Sequence, residues 1–293
     1  MDSIEKNCST ENRNENLEKE SVLSDLKELF LSCEGNVVPD EVALDGCLGL
    51  KIFEEPIFGV SAADDPLYTA FKQPDVIGDF YMTPTEWLPT AKSVVSFFLP
   101  FSRRLRDANR KDPVHTANEW LHGRKEGQAC IDDFTAKAKA YFAAKGVEAL
   151  VPWVDPRLKE MRRPVDADDP EGVHIMCTWS ERHAAYVSGL GTFSLTRALI
   201  TEKGVAGRVG SIIIDTYLDP NKRPYTGLYD YCTRCGACIR RCPVHAITLE
   251  HGKNQLICQS RVNSPNEFHP TRYGCGKCEV GIPCETKIPG RKG

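Results

Sequence analysis

The chain has 293 residues, 41% hydrophobic and 27% charged, the balance of an ordinary soluble globular protein, and no run reaches the roughly 18 apolar residues of a membrane span. Its net charge of −4 is uneven: from residue 222 onward twelve Lys and Arg stand against five Asp and Glu, a local +7 that leaves −11 for the rest. Thirteen cysteines, eight of them between Cys232 and Cys284, argue for metal ligation over a disulfide framework in a chain whose expected compartment is the cytoplasm.

The N-terminus, "MDSIEKNCSTENRNENLEKE", is acidic, lacks the apolar core of a signal peptide and is expected to be a disordered tail over residues 1–20. "SVLSDLKELFLSC" follows with Leu23, Leu26, Leu29 and Phe30 at helical spacing. "KSVVSFFLPF" is a short apolar run closed by Pro100 and reads as a buried strand. "ACIDDFTAKAKAYFAAKG" predicts a helix with Gly146 as its C-cap, and "VEALVPWV" a strand after it. Thr178 and Glu181 have the spacing of a capping box, with Trp179, His183, Tyr186, Val187 and Leu190 on one face of the helix that follows. "RALIT" and "GSIIID", joined by a glycine-containing loop, are expected to pair as strands. The alternation predicts an α/β (α+β) domain over residues 21–221, and "DPNKRPYTG" marks a boundary before a second domain over 222–293.

In "YCTRCGACIRRCPVHAI", Cys232, Cys235, Cys238 and Cys242 are spaced three, three and four apart, with proline after the last. This is the bacterial ferredoxin run, in which three cysteines hold one 4Fe-4S cluster and the fourth crosses to another. Cys258, Cys275, Cys278 and Cys284 supply four more thiolates, enough for a second cluster and a ferredoxin-like C-terminal domain. Zinc is the alternative for Cys-x-x-Cys pairs, but a zinc ribbon usually needs two such pairs. The basic residues here fit clusters of net charge about −2 each better than a nucleic-acid surface. Cys8, Cys33, Cys47, Cys130 and Cys177 read as small buried or incidental thiols.

From about residue 85 to 284 the sequence resembles the epoxyqueuosine reductases and their relatives the reductive dehalogenases. The resemblance rests on "EWLPTAKSVVSFFLPF", on "SERHAAYVSGLGTFSLTRALIT" and on the order of the two cysteine sets. It implies an α/β corrinoid-binding domain ahead of two 4Fe-4S clusters, one held by Cys232, Cys235, Cys238 and Cys284, the other by Cys242, Cys258, Cys275 and Cys278. It also implies that Gly189, Leu190 and Gly191 sit beside the cofactor (cobalamin) cavity, where positions without side chains admit a flat ring; an ordinary helix C-cap is the alternative.

Two departures stand out. The resembling epoxyqueuosine enzymes carry a proton-donating aspartate just before the Glu-Arg pair, whereas "HIMCTWSER" puts Ile175 there and no carboxylate between Glu171 and Glu181. That leaves His174, Cys177 or His183, of which His174 is titratable near neutrality and is the candidate catalytic residue. Cys284 follows Cys278 by six positions where the family has four, and Glu285 replaces the family's proline.

These features predict an iron-sulfur reductase that passes electrons to a corrinoid and does not act on epoxyqueuosine. The alternative is an electron-transfer protein with two clusters and no corrinoid, docking a partner redox protein. No nicotinamide fingerprint follows "GLG", so a ferredoxin or flavodoxin is the expected donor. A small-molecule substrate is expected, with neither nucleic acid nor membrane as partner.

Overall fold

The computed structural model describes residues 17–166, 169–264 and 269–290, the side chains of 163–174 excepted. The elements run α1 (Lys19–Leu31), β1 (Ile57–Ala62), α2 (Pro66–Ala70), α3 (Pro84–Trp87), β2 (Ser93–Pro100), α4 (Arg103–Lys111), α5 (Asn118–Ala144) and β3 (Ala149–Leu150). They continue with β4 (Glu160–Asp166), β5 (Asp169–Cys177), α6 (Glu181–Val187), β6 (Gly191–Phe193), β7 (Leu199–Thr201) and β8 (Gly207–Ile214). The cysteine-rich end adds α7 (Ala237–Arg241), β9 (Ile247–Thr248), β10 (Gly252–Lys253) and α8 (Gln255–Asn263). The mixed fold matches the expected α/β (α+β) class.

The central sheet has the order β1-β2-β8-β3 with every pairing antiparallel, Ser93 opposite Ile214 and Pro100 opposite Gly207. All eight residues of β2 are buried, and period-two alternation sends them into two cores. Val95, Phe97 and Leu99 with Ile212 and Ile214 meet α1 and α5 through Leu26, Phe30, Phe134 and Phe142. Val94 and Ile213 point the other way, to Tyr68, Trp87, Trp179, Ala185 and Val187. A third, small core of Leu195, Cys242, Ala246 and Ile247 lies in the cysteine-rich end.

Several expectations need correction. α5 starts at Asn118, well before the predicted stretch: Gly123 and Gly127, poor helix formers, belong to it and pack closely under the rings of Phe101 and Phe53. The strand predicted in "VEALVPWV" shrinks to β3, followed by a short 3₁₀ turn. β7 pairs with β6 and not with β8, since the apolar run Ile212–Ile214 needs cover on both faces and gains it only at the sheet centre. Thr178 is no cap: α6 starts after Ser180, and the Thr178 hydroxyl donates to Arg157 O (3.0 Å) and accepts from Lys159 N (3.0 Å). The expected tail falls outside the described residues for 1–16, while Lys19 and Glu20 already belong to α1.

Candidate iron-sulfur centres

The first cysteine run is a turn closed by α7, with Gly236 in the left-handed region (φ 71°) ahead of the helix and Cys242 just past its end. Cys232, Cys235 and Cys238 meet Cys284 across a small pocket whose other walls include Leu195, Ile200 and Ile282. Burial pushes the Cys284 thiol up to about 12, with Cys238, Cys232 and Cys235 adding to the shift. Burial also raises Cys238, while the backbone N–H groups of Cys238 and Ile239, close to its sulfur, act against that rise. Such N–H donors favour the thiolate and are what a cluster sulfur uses.

Cys242 is buried, accepts from Ala246 N at 3.2 Å and lies within electrostatic reach of Cys258 and Cys275. Cys278 is raised by burial, with Cys258 and Cys275 among its neighbours. The thiols thus gather as Cys232, Cys235, Cys238 and Cys284 on one side and Cys242, Cys258, Cys275 and Cys278 on the other. Among the described residues, no three Cys, His, Asp or Glu side chains are grouped to hold a single metal ion.

Both sets are anchored to the helices. Lys277 is fully buried and its ammonium donates to Asn109 O (2.8 Å) and Oδ1 (2.9 Å), while Asn109 Nδ2 donates to Cys275 O (2.8 Å). Gly276 (φ 64°) lies against the Trp120 ring of α5, where a Cβ would come within 1.9 Å. Glu285, where the resembling family has proline, binds Arg106 and Arg110 of α4 and accepts from Gly281 N at 2.6 Å. That ion cluster holds the Cys284 loop in proline's stead.

His174 lies in β5 opposite Arg163, but its side chain is outside the described residues. Ile175 is locked by its backbone to α8, donating to Gln255 Oε1 (2.6 Å) and accepting from Gln255 Nε2 (3.3 Å). Gly189, Leu190 and Gly191 are enclosed by the chain itself. A Cβ at Gly191 would stand 2.0 Å from Ile200 O, one at Gly189 3.2 Å from the Asn221 side chain, and Leu190 packs on Gly59. Packing of the fold on itself thus accounts for the two glycines. His183 is held by burial at about 3, bonded through Nδ1 to Ser180 Oγ (2.7 Å) and wedged between Phe71 and Phe193, so it stays neutral. Cys33, Cys47 and Cys130 are buried and Cys177 half-buried, as read from the sequence; Cys8 lies outside the described residues.

Two features escaped the sequence reading. Glu181 has one carboxyl oxygen bonded to Ser211 Oγ (2.5 Å) and the other, Oε1, buried without a partner among the described residues. Burial raises its pKa to about 7. Beside it, Arg182 is exposed to solvent, yet loss of water is the leading influence on its guanidinium, lowering its pKa. Glu279, next to Cys278, acts against that shift.

Residues 228–248 match the 4Fe-4S binding domain family. The chain is 24% identical over 226 residues to the epoxyqueuosine reductase of Bacillus subtilis strain 168, covering 73% of this chain and 52% of that protein. Over 105 residues, 35% of this chain and 18% of the relative, it is 28% identical to the trichloroethene reductive dehalogenase of Dehalococcoides mccartyi. The chain therefore spans about half the length of the epoxyqueuosine reductases it matches. An epoxyqueuosine reductase solved with an epoxyqueuosine-modified tRNA stem loop superposes with a TM-score of 0.50 and 18% identity, over 93% of this chain and 66% of its own, and so shares the fold.

Proposed function

We propose that this chain, a divergent relative of the epoxyqueuosine reductases and reductive dehalogenases, is a reductase in which two 4Fe-4S clusters feed an acceptor bound by the part before residue 222. The observation that carries the reading is the gathering of eight cysteines into two sets of four. Cys232, Cys235, Cys238 and Cys284 would hold one cluster, and Cys242, Cys258, Cys275 and Cys278 the other. When bound, the clusters and a corrinoid supply single-electron transfer and a metal centre able to deliver electrons to substrate. The chain's own part is to keep the thiolates dry, to donate N–H groups to sulfur and to hold both sets against α4 and α5 through Glu285 and Lys277. A ferredoxin or flavodoxin is the donor this reading calls for.

Ile175 cannot donate a proton, and a positioned donor is typically worth about 10² to 10⁴ in rate. We therefore place the substrate outside epoxyqueuosine. Anaerobically purified protein tests the reading: iron and acid-labile sulfide should each approach eight per chain, with corrinoid bands added to the broad cluster absorbance after incubation with cobalamin. Four irons at saturation would remove the second cluster, and eight irons with no corrinoid binding would leave an electron-transfer protein. Supplying a low-potential reductant and epoxyqueuosine-containing tRNA should yield no queuosine above background in the nucleoside digest.

A further inference from the structure

The face of the sheet that looks toward α6 carries a file of hydroxyls inside an otherwise apolar core. Alternation along β2 and β8 turns Ser96 and Ser211 to the same side as Val94 and Ile213. The register sets the two serines directly opposite each other, close enough for their hydroxyls to bond. Ser96 Oγ lies 3.0 Å from Ser188 Oγ, just past the end of α6, and Ser188 Oγ donates to Ser61 Oγ of β1 at 3.3 Å. Tyr68 hangs on this file as a side branch, its hydroxyl 2.7 Å from Ser61 Oγ. At the inner end Ser211 Oγ donates to Glu181 Oε2 at 2.5 Å and accepts from Trp179 Nε1 at 3.0 Å. None of the four serines is more than 1% exposed.

Close packing explains the size of these residues but not their chemistry. A Cβ on Gly59 would stand 2.3 Å from Ser188 O, so α6 demands small neighbours; alanine would meet that demand with no hydroxyl to satisfy. The file also has distinct ends. Ser61 lines a surface pocket with Asp65, Asn221, Lys222 and Arg223, and there Arg223 Nη1 is held by Asp65 Oδ2 (2.6 Å) and Val187 O (3.1 Å). The other end is Glu181, whose Oε1 is buried without a partner among the described residues. A hydroxyl both donates and accepts, so a file of them passes a proton when each oxygen takes one and gives one. From this arrangement we infer that Ser61, Ser188, Ser96 and Ser211 form a proton path between water in the surface pocket and the Glu181 carboxyl. A proton lost from Glu181 is replaced by that of Ser211, which takes one from Ser96, and so through Ser188 to Ser61, which draws on water; no electron moves. Burial keeps Glu181 protonated up to about pH 7, so it stores a proton near neutrality. The titratable groups that sense it, Tyr68, Tyr81 and Cys177, are raised by burial and stay neutral there. The use of the path rests on the reductase reading, in which electrons from the clusters are matched by protons taken up in the part before residue 222.

Infrared difference spectra of cluster-loaded protein read the path without substrate or corrinoid, so their failure leaves the reductase reading standing, and the iron count tests that reading separately. The difference between the parent and Glu181→Gln should contain the C=O stretch of a protonated carboxyl at about pH 6, fading as pH rises through about 7. On transfer to D2O that band should shift in the parent well before the backbone amides of β2 exchange. In Ser188→Ala and Ser96→Ala the shift should be delayed to the time scale of those amides. A merely structural role predicts the reverse, because loosening the core speeds exchange. Ser93→Ala, whose hydroxyl accepts from Leu218 N on the other face of β2, should exchange as the parent does. Absence of the carboxyl band, or exchange in both alanine variants as fast as in the parent, overturns the path. Should both variants fail to fold, a parent carboxyl that exchanges as slowly as the β2 amides overturns it alone.

Discussion

At the scale of single residues, Glu181 shows how burial converts a surface-type side chain into a titrating group. Its carboxyl, with one oxygen unpartnered among the described residues, holds its proton to about pH 7 in the folded protein. Unfolded, it releases that proton near its ordinary value of about 4.3. Between these two values the native state binds more protons, so this residue's contribution to stability declines as pH rises through the window and levels off above it. Glu181→Gln should therefore melt a few degrees higher than the parent at pH 8 and close to it at pH 5, in differential scanning calorimetry at matched iron content. A parallel pH dependence in the two proteins would mean that the carboxyl is hydrated. The cysteines give a second test. Because Cys242 neighbours Cys258 and Cys275, Cys242→Ser and Cys275→Ser should abolish the same low-temperature EPR signal, and Cys235→Ser a different one. Coincident loss in Cys242→Ser and Cys235→Ser would show that the run ligates in sequence order.

At the scale of elements, what the sequence made legible depended on whether a pattern had one physical cause. The all-apolar run of β2 and the cysteine spacing each admit one explanation, and both elements appear where the residues predicted them. Thr178 and Glu181 had the right spacing for a cap, but tertiary partners, Arg157 O and Ser211, claim both side chains. Gly123 and Gly127 masked the first half of α5 because their absence of side chains serves the rings of Phe101 and Phe53, a contact far away in sequence. The Glu285 ion pairs reach from the cysteine-rich end to Arg106 and Arg110 of α4, and no local pattern reveals such a contact. Gly276 is the tightest of these element contacts. Gly276→Ala would force both a left-handed backbone and a collision with Trp120, costing about 2 kcal/mol or more. The lost stability should be accompanied by loss of the Cys275-dependent EPR signal; retention of that signal with unchanged stability would show that the loop reaches its place another way.

At the scale of the whole molecule, the two large cores and the cysteine-rich end have unequal means of holding together. The sheet is covered on both faces by aromatic and branched side chains. Among the described residues the segment around β9 and α8 packs on the small core of Leu195, Cys242, Ala246 and Ile247, and farther along Val280 joins one large core and Ile282 and Ile288 the other. Beyond that, polar ties hold it: Lys277 to Asn109, Gln255 to Ile175, and Arg272 to Glu126 (2.6 Å), whose carboxylate also receives His122 (2.8 Å). His122 Nε2 accepts from Leu44 N (3.0 Å), so Nδ1 carries the proton that it gives to Glu126. A segment with so little apolar burial must take much of its stability from bound clusters, because ligands that bind the folded form add their binding energy to folding. Anaerobic removal of iron with an oxidant and chelator should therefore raise hydrogen exchange and protease cleavage between residues 242 and 290. Amides of β2 and β8 should stay protected. Unchanged protection of the 242–290 region in the iron-free protein would show that the polar ties alone hold it, and collapse of protection in β2 as well would show that the clusters stabilise the molecule as one cooperative unit.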